Sequence, residues 1–195
     1  CILWSGKNGA VSVGQVRYYT ISGSGSPVFS TSATNSAISS GRDLLFLDGY
    51  LVFFEAFTQR IYNSQLGNPT SWVPGSDYLD AEMLADDIVG LGLHQNHIVA
   101  FGHNSTEFFY NAAVEIGSPL KRQAAYSLRI GLFRDRTIET NPNLPFLQTQ
   151  IINIQDDLFF IAAINRNFLG IYRISQFKAQ KISTFALERE LLPVN

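Results

Sequence analysis

Cysteine is almost missing from this sequence: Cys1 is the only one, which excludes an internal disulfide framework and any cysteine-based zinc site. Charge is sparse as well, at 15% of residues, and acids and bases nearly cancel to a formal net charge of -2. Such a chain exerts no global pull on nucleic acid or on an anionic membrane surface, so contact with either has to be local. No apolar run approaches the roughly 20 residues of a membrane-spanning helix, and no basic segment precedes an apolar stretch as in a signal peptide. A soluble chain without membrane insertion is expected. Ala-rich helical periodicity is lacking too. What is present is apolar and aromatic: 46% hydrophobic residues, with 15 Phe and 8 Tyr among 195 residues. That is enough to bury a core, and the excess of aromatic and β-branched residues points to an all-β fold. The chain opens on Cys1-Ile2-Leu3-Trp4, which reads as the middle of a strand, so a segment of a longer polypeptide is expected.

Three segments share one plan: an apolar strand, a polar turn, a Phe-rich strand, a second turn and a strand carrying Tyr. The first is Leu44 to Leu47, the turn Asp48-Gly49, Tyr50 to Phe54, then Arg60 to Asn63 after Thr58-Gln59. Asp-Gly between two apolar runs is a strong hairpin signal, because a type I′ turn needs positive φ at both central residues. The second is Ile88 to Leu93, a turn at His94-Gln95-Asn96, His97 to Phe101, and Thr106 to Asn111. The third is Ile151 to Ile154, a turn at Asp156-Asp157, Leu158 to Ile161, and Gly170 to Ile174. Tyr19, Tyr62, Tyr110 and Tyr172 follow one another at 43, 48 and 62 residues, near the roughly 40–50 residues of a four-stranded propeller blade.

One small meander cannot bury its apolar face alone, so successive sheets have to stack, and radial stacking leaves only short edges exposed. The fold expected is all-β, a β-propeller-like stack of antiparallel meanders, forming a partial propeller within residues 1–195. Candidate blades lie near 2–22, 42–75, 87–135 and 149–187, with an insertion near 121–146 containing Pro142 and Pro145. The stretch from Ser22 to Ser40 reads as loop, and Phe185 to Leu192, closed by Pro193, is the one fair helix. The middle strands, Leu51 to Phe53, Ile98 to Phe101 and Leu158 to Ile161, should be buried. Tyr50, Tyr62, Tyr110 and Tyr172 should pack and not form a stacking platform.

Residue types that carry chemistry are present but poorly arranged for it. His94, His97 and His103 fall close together, yet His97 and His103 end one strand about 20 Å apart. His94 and His97 can meet across the turn, without a carboxylate between them, so no metal site is expected. Asp86-Asp87 and Asp156-Asp157 are adjacent pairs whose side chains diverge, which suits solvated turns better than an acid/base dyad. Gly23-Ser24-Gly25 and Gly90-Leu91-Gly92 lack the third glycine of a dinucleotide loop. No catalytic, cofactor or metal residue is assigned, and the chain is not expected to be an enzyme. Lys121, Arg122, Arg129, Arg134 and Arg136 set five cations against Asp135 alone within sixteen residues. They are candidates for an inter-subunit or DNA-facing surface. The plainer alternative is a solvated loop and outer strand.

The wording of the repeats adds a resemblance. Asp48-Gly49-Tyr50 with Phe53, Thr58-Gln59-Arg60 with Tyr62, Asn68-Pro69-Thr70-Ser71-Trp72 and Ile88-Val89-Gly90-Leu91 resemble the packaged-DNA stabilisation proteins of P22-like short-tailed phages. So do Ala100-Phe101-Gly102 leading into Ser105-Thr106-Glu107 with Tyr110-Asn111, and Gln180-Lys181-Ile182-Ser183-Thr184. The similarity runs in order from Arg42 to Leu192. It departs at Ala100 and Phe109, where the family usually has Trp, and between Phe133 and Phe146. The resemblance implies a β-propeller nozzle subunit of the virion tail, assembled in the host cytoplasm. Six copies would ring the channel below the portal, touching the adaptor and the needle or fibre proteins. That channel would hold packaged DNA and pass it at ejection. A tail module binding a host-surface glycan or protein is the alternative. A propeller hydrolase would need carboxylates converging at the channel mouth. Asp48, Gln95 and Asp156, at equivalent turns, supply only two.

Overall fold

The computed structural model describes residues 18–21, 27–30, 41–114, 117–133, 151–165 and 168–191. The opening run Cys1 to Trp4, most of the loop expected between Ser22 and Ser40, and the prolines Pro142, Pro145 and Pro193 lie outside them. Fourteen strands lie among the described residues. β1 (Tyr18–Ile21) and β2 (Pro27–Ser30) pair as a hairpin. β2 was expected to be loop; it starts at Pro27, a residue tolerated at the first position of a strand, and continues into Val28-Phe29.

Three four-stranded sheets follow, each a meander in chain order with antiparallel pairing throughout. The first holds β3 (Gly41–Leu47), β4 (Tyr50–Glu55), β5 (Arg60–Asn63) and β6 (Tyr78–Asp80). The second holds β7 (Ile88–His94), β8 (His97–Gly102), β9 (Thr106–Asn111) and β10 (Leu120–Arg122). The third holds β11 (Ile151–Ile154), β12 (Asp157–Asn165), β13 (Phe168–Ser175) and β14 (Lys178–Lys181), followed by helix α1 (Phe185–Glu190). β7 touches both β3 and β11, so the first strands of the three sheets gather on one side of the stack, which does not close into a ring.

Turn chemistry sets the registers. Leu47 pairs with Tyr50 around Asp48 (φ 49°) and Gly49 (φ 89°), the tight turn that Asp-Gly specifies. The next turn is shorter than expected: His94 still pairs with His97, and Gln95 and Asn96 alone occupy the left-handed region at 45° and 59°. In the third sheet Asp157 begins β12 instead of lying in the turn, and Ile154 pairs with it directly.

Period-2 alternation gives the second sheet two apolar faces, and both are covered. Leu91, Ile98, Ala100 and Phe109 meet Val52, Phe54 and Ile61 of the first sheet. Val89, Val99, Phe101 and Phe108 meet Leu158, Phe160, Ala162 and Ile174 of the third. Each fully buried Phe or Ile contributes roughly 1.5–3 kcal/mol. The middle strands of the first two sheets are buried as expected, whereas in β12 Leu158 and Phe160 are buried and Phe159 and Ile161 only half so. Those two point to the face that no other described sheet covers, where Ile152 and Ile154 are 60% and 54% exposed.

Gly90 and Gly92 belong to packing, not to a phosphate loop. A Cβ on Gly90 would lie 2.8 Å from Leu132 and 3.0 Å from Ile151, and one on Gly92 would lie 3.0 Å from Leu158. A side chain on β7 there would require Leu132, Ile151 or Leu158 to shift.

Candidate functional site

Among the described residues, Lys121 and Arg122 lie apart from Arg129 and do not form one compact patch with it. Lys121 and Arg122 lie exposed on β10, opposite Tyr110 and Phe109. The chain then turns through a short 3₁₀ segment, Ala124–Tyr126, and rejoins β9 at its other end, where Thr106 and Leu128 exchange main-chain hydrogen bonds. Arg129 is exposed there, about 13 Å along the strand from Lys121. Beyond it Leu132 is buried against the third sheet and Phe133 N–H donates to the Ile161 carbonyl. Residues 120–128 therefore follow the outer edge of the second sheet, and 132–133 turn in against the third. Arg134 and Arg136, with the rest of the expected insertion, lie outside the described residues.

The cations differ in what they touch. The Arg122 guanidinium sits 3.3 Å from Glu107 Oε2, and Glu107 is a buried carboxylate whose other oxygen accepts from Met83 N–H. An unpaired charge in that position is costly, so Arg122 has a local structural role. Glu107 was read from the sequence only as part of the Tyr-carrying strand and of the resemblance; its neighbours gave no sign that it is buried. Lys121 and Arg129 form no ion pair with another described residue and are the cations free to meet a partner.

Other candidates act within the fold. Asp86 accepts from Asn104 N–H at 2.6 Å and Ser105 Oγ at 3.3 Å, holding the β8–β9 turn. Asp157 accepts from Arg173 Nε at 2.7 Å; Ser175 first and then Arg173 hold its carboxyl below the ordinary range. Tyr62 is buried, its ring 5.6 Å from Phe53 and its hydroxyl 3.4 Å from Glu55, and burial raises its pKa. Tyr50, Tyr110 and Tyr172 are partly buried in their own sheets, with Tyr172 packed 5.8 Å from Phe160. They pack as expected and do not share an exposed platform.

Among the described residues no group of three or more His, Cys, Asp or Glu is placed to hold a metal ion. His94 and His97 do meet across their turn. His94 is buried, and its Nε2 accepts from the main-chain N–H of Phe177, 83 residues away, at 3.5 Å. That pairing had no local signature in the sequence.

A cleft of about 510 Å³ opens beside the first turn, between Tyr50, Asn63, Gln65 and Asp77 of the first sheet region and Val114 and Pro119 beyond β9. Its residues come from separate stretches, so no motif announced it. Asn63 Oδ1 lies beneath its floor, buried and without a partner.

Stacked four-stranded meanders with their first strands together, and no helix among the described residues long and apolar enough to cross a membrane, set the frame for comparison. A search of curated proteins gives no match. A family model does match, over residues 5–194: phage stabilisation, described as bacteriophage P22 Gp10, β-propeller. With nearly every residue inside that match, the chain belongs to this family of phage structural proteins and is a partial β-propeller.

Proposed function

We propose that the chain forms part of the wall of a phage tail channel that retains packaged DNA and passes it at ejection. The observation that carries this reading is the family match across residues 5–194, made by a stack whose first strands gather on one side, as strands around a propeller axis do. A net charge of -2 suits the role: a wall that binds phosphates tightly would hinder sliding DNA.

In this reading copies of the chain form a ring, six in number by analogy with the resemblance, in contact with adaptor and needle or fibre proteins. Lys121 and Arg129 serve the contact between neighbours. Lys121 lies on the fourth strand of the second sheet, the strand farthest in sheet order from β7, and Arg129 follows the bridge of Leu128 to the other end of β9, so they are proposed to sit at the perimeter and not near the axis. Arg134 and Arg136 are proposed for the same surface.

Sedimentation tests this. Charge reversal at Lys121 and Arg129 should reduce ring or tail assembly and leave the monomer's thermal midpoint unchanged. Arg122→Glu should instead lower the midpoint, because it sets two carboxylates against each other at Glu107. Normal assembly of the Lys121/Arg129 variant, with a destabilised monomer, would remove these residues from any interface.

A further inference from the structure

The turn joining β13 to β14 holds a large aromatic ring in the left-handed region, at Gln176 (φ 49°) and Phe177 (φ 61°). That conformation is unfavourable for a bulky side chain and persists only where surrounding contacts enforce it. Those contacts come from the second sheet. The Phe177 ring stacks on Tyr126 with centroids 4.3 Å apart, and meets His97 at 4.8 Å, His94 at 5.2 Å and Phe108 at 5.4 Å. The turn's main chain is tied to the same sheet by the hydrogen bond from Phe177 N–H to His94 Nε2.

His94 is only 1% exposed. Because Nε2 accepts, the ring is neutral with its proton on Nδ1, and Nδ1 has no hydrogen-bond partner. A second proton would have to go to Nε2, where it would face the Phe177 N–H. An acceptor would become a donor pointing at a donor. We propose that His94 is an acid-sensitive latch, whose protonation releases the Phe177 turn and loosens the third sheet from the second.

The groups facing this ring are few. The β11–β12 turn brings Asp156, the start of β12 brings Asp157, and β8 brings His97. Asp157 is already engaged by Arg173 of β13, and Lys178, next to Phe177, is exposed. Burial is the largest influence and lowers the His94 pKa; His97 acts in the same sense. The Asp156 main chain, which favours a proton on the ring without forming a well-aligned bond to Nδ1, and the Asp157 carboxylate oppose it. With the folded value depressed, the neutral ring's contribution is complete above the ordinary value of about 6.5, and is lost as pH falls from there through the folded value. Asp157 and Glu188, both held below the ordinary carboxylate range, lose their contributions only at much lower pH.

The test follows the His94 ring and the Phe177 amide of the intact chain by NMR as the pH is lowered from about 7.5 to 5. The His94 titration should centre below 6.5. Over the same interval Phe177 amide exchange, corrected for its intrinsic pH dependence, should rise by about tenfold for each unit of depression. His94→Gln should abolish the rise and His97→Gln should keep it. A Phe177 amide that ignores the His94 titration would overturn the latch, as would the same rise persisting in His94→Gln. Should that variant fail to fold, the wild-type titration decides alone.

Discussion

Between the first and second sheets, beside the main-chain bond from Ile88 N–H to the Thr58 carbonyl, the side-chain ties are carboxylates: Asp43 Oδ2 accepts from Leu91 N–H at 3.0 Å, and Asp48 accepts from the side-chain amides of Asn96 and Asn111. Between the second and third the ties are an imidazole, His94 with Phe177, and an amide, Asn153 Nδ2 donating to the Leu93 carbonyl at 2.8 Å. Apolar burial is alike on the two sides, so the difference lies in how each contact responds to its surroundings. Burial pushes the His94 imidazole below its ordinary pKa, so the second contact contains a tie that answers to acid. The spacing differs too, since at Gly90 and Gly92 an added Cβ would press on Leu132, Ile151 and Leu158.

The comparison is broken most strongly in the cores. Phe54→Ala, at the first contact, and Phe101→Ala, whose ring lies 4.9 Å from Phe160 at the second, should each cost about 3–5 kcal/mol in urea denaturation. Equal losses would place the difference in the ties and spacing, whereas a much smaller loss at Phe54 would mean that the first contact is the softer. Gly90→Ala should cost about 1–3 kcal/mol by overpacking against Leu132 and Ile151, and Gly92→Ala less. No loss at Gly90 would refute the close approach. Asp43→Ala should cost about 1–2 kcal/mol in urea denaturation, by leaving the Leu91 N–H without its acceptor. Asp43→Asn, which keeps an oxygen and tolerates the φ of 46°, should cost less. No loss in Asp43→Ala would remove this carboxylate from the ties of the first contact. Smallest is Asp48→Asn, exposed and able to hold the same turn, which should stay within about 0.5 kcal/mol in thermal melts.

The three inner strands of each sheet were legible because they alternate apolar residues between polar turns. Asp48-Gly49 fixed one register outright. Helix α1 was legible from composition, and Thr184 caps it by accepting from Leu187 N–H. The fourth strands, β6, β10 and β14, were not. They have three or four residues and bury little, so they carry no apolar signal; the sheet edge creates them by offering free hydrogen bonds. The basic run was legible as composition but not as geometry, since a chain following β9 spreads neighbours in sequence along an edge. His94 and Phe177 were each visible as residues, and nothing local links a turn in one sheet to a strand end in another.

Every sheet is made from consecutive residues and pairs only neighbouring strands, which bears on how the chain is born. Each meander can close soon after its own residues leave the ribosome, because the contacts it needs are short-range in sequence. Its second face has to wait. Val99, Phe101 and Phe108 stay uncovered until residues 151–174 have been made, so the second sheet passes through a stage with one apolar face open. During synthesis that face, not the finished surface, is where this chain is most prone to stick to another copy of itself.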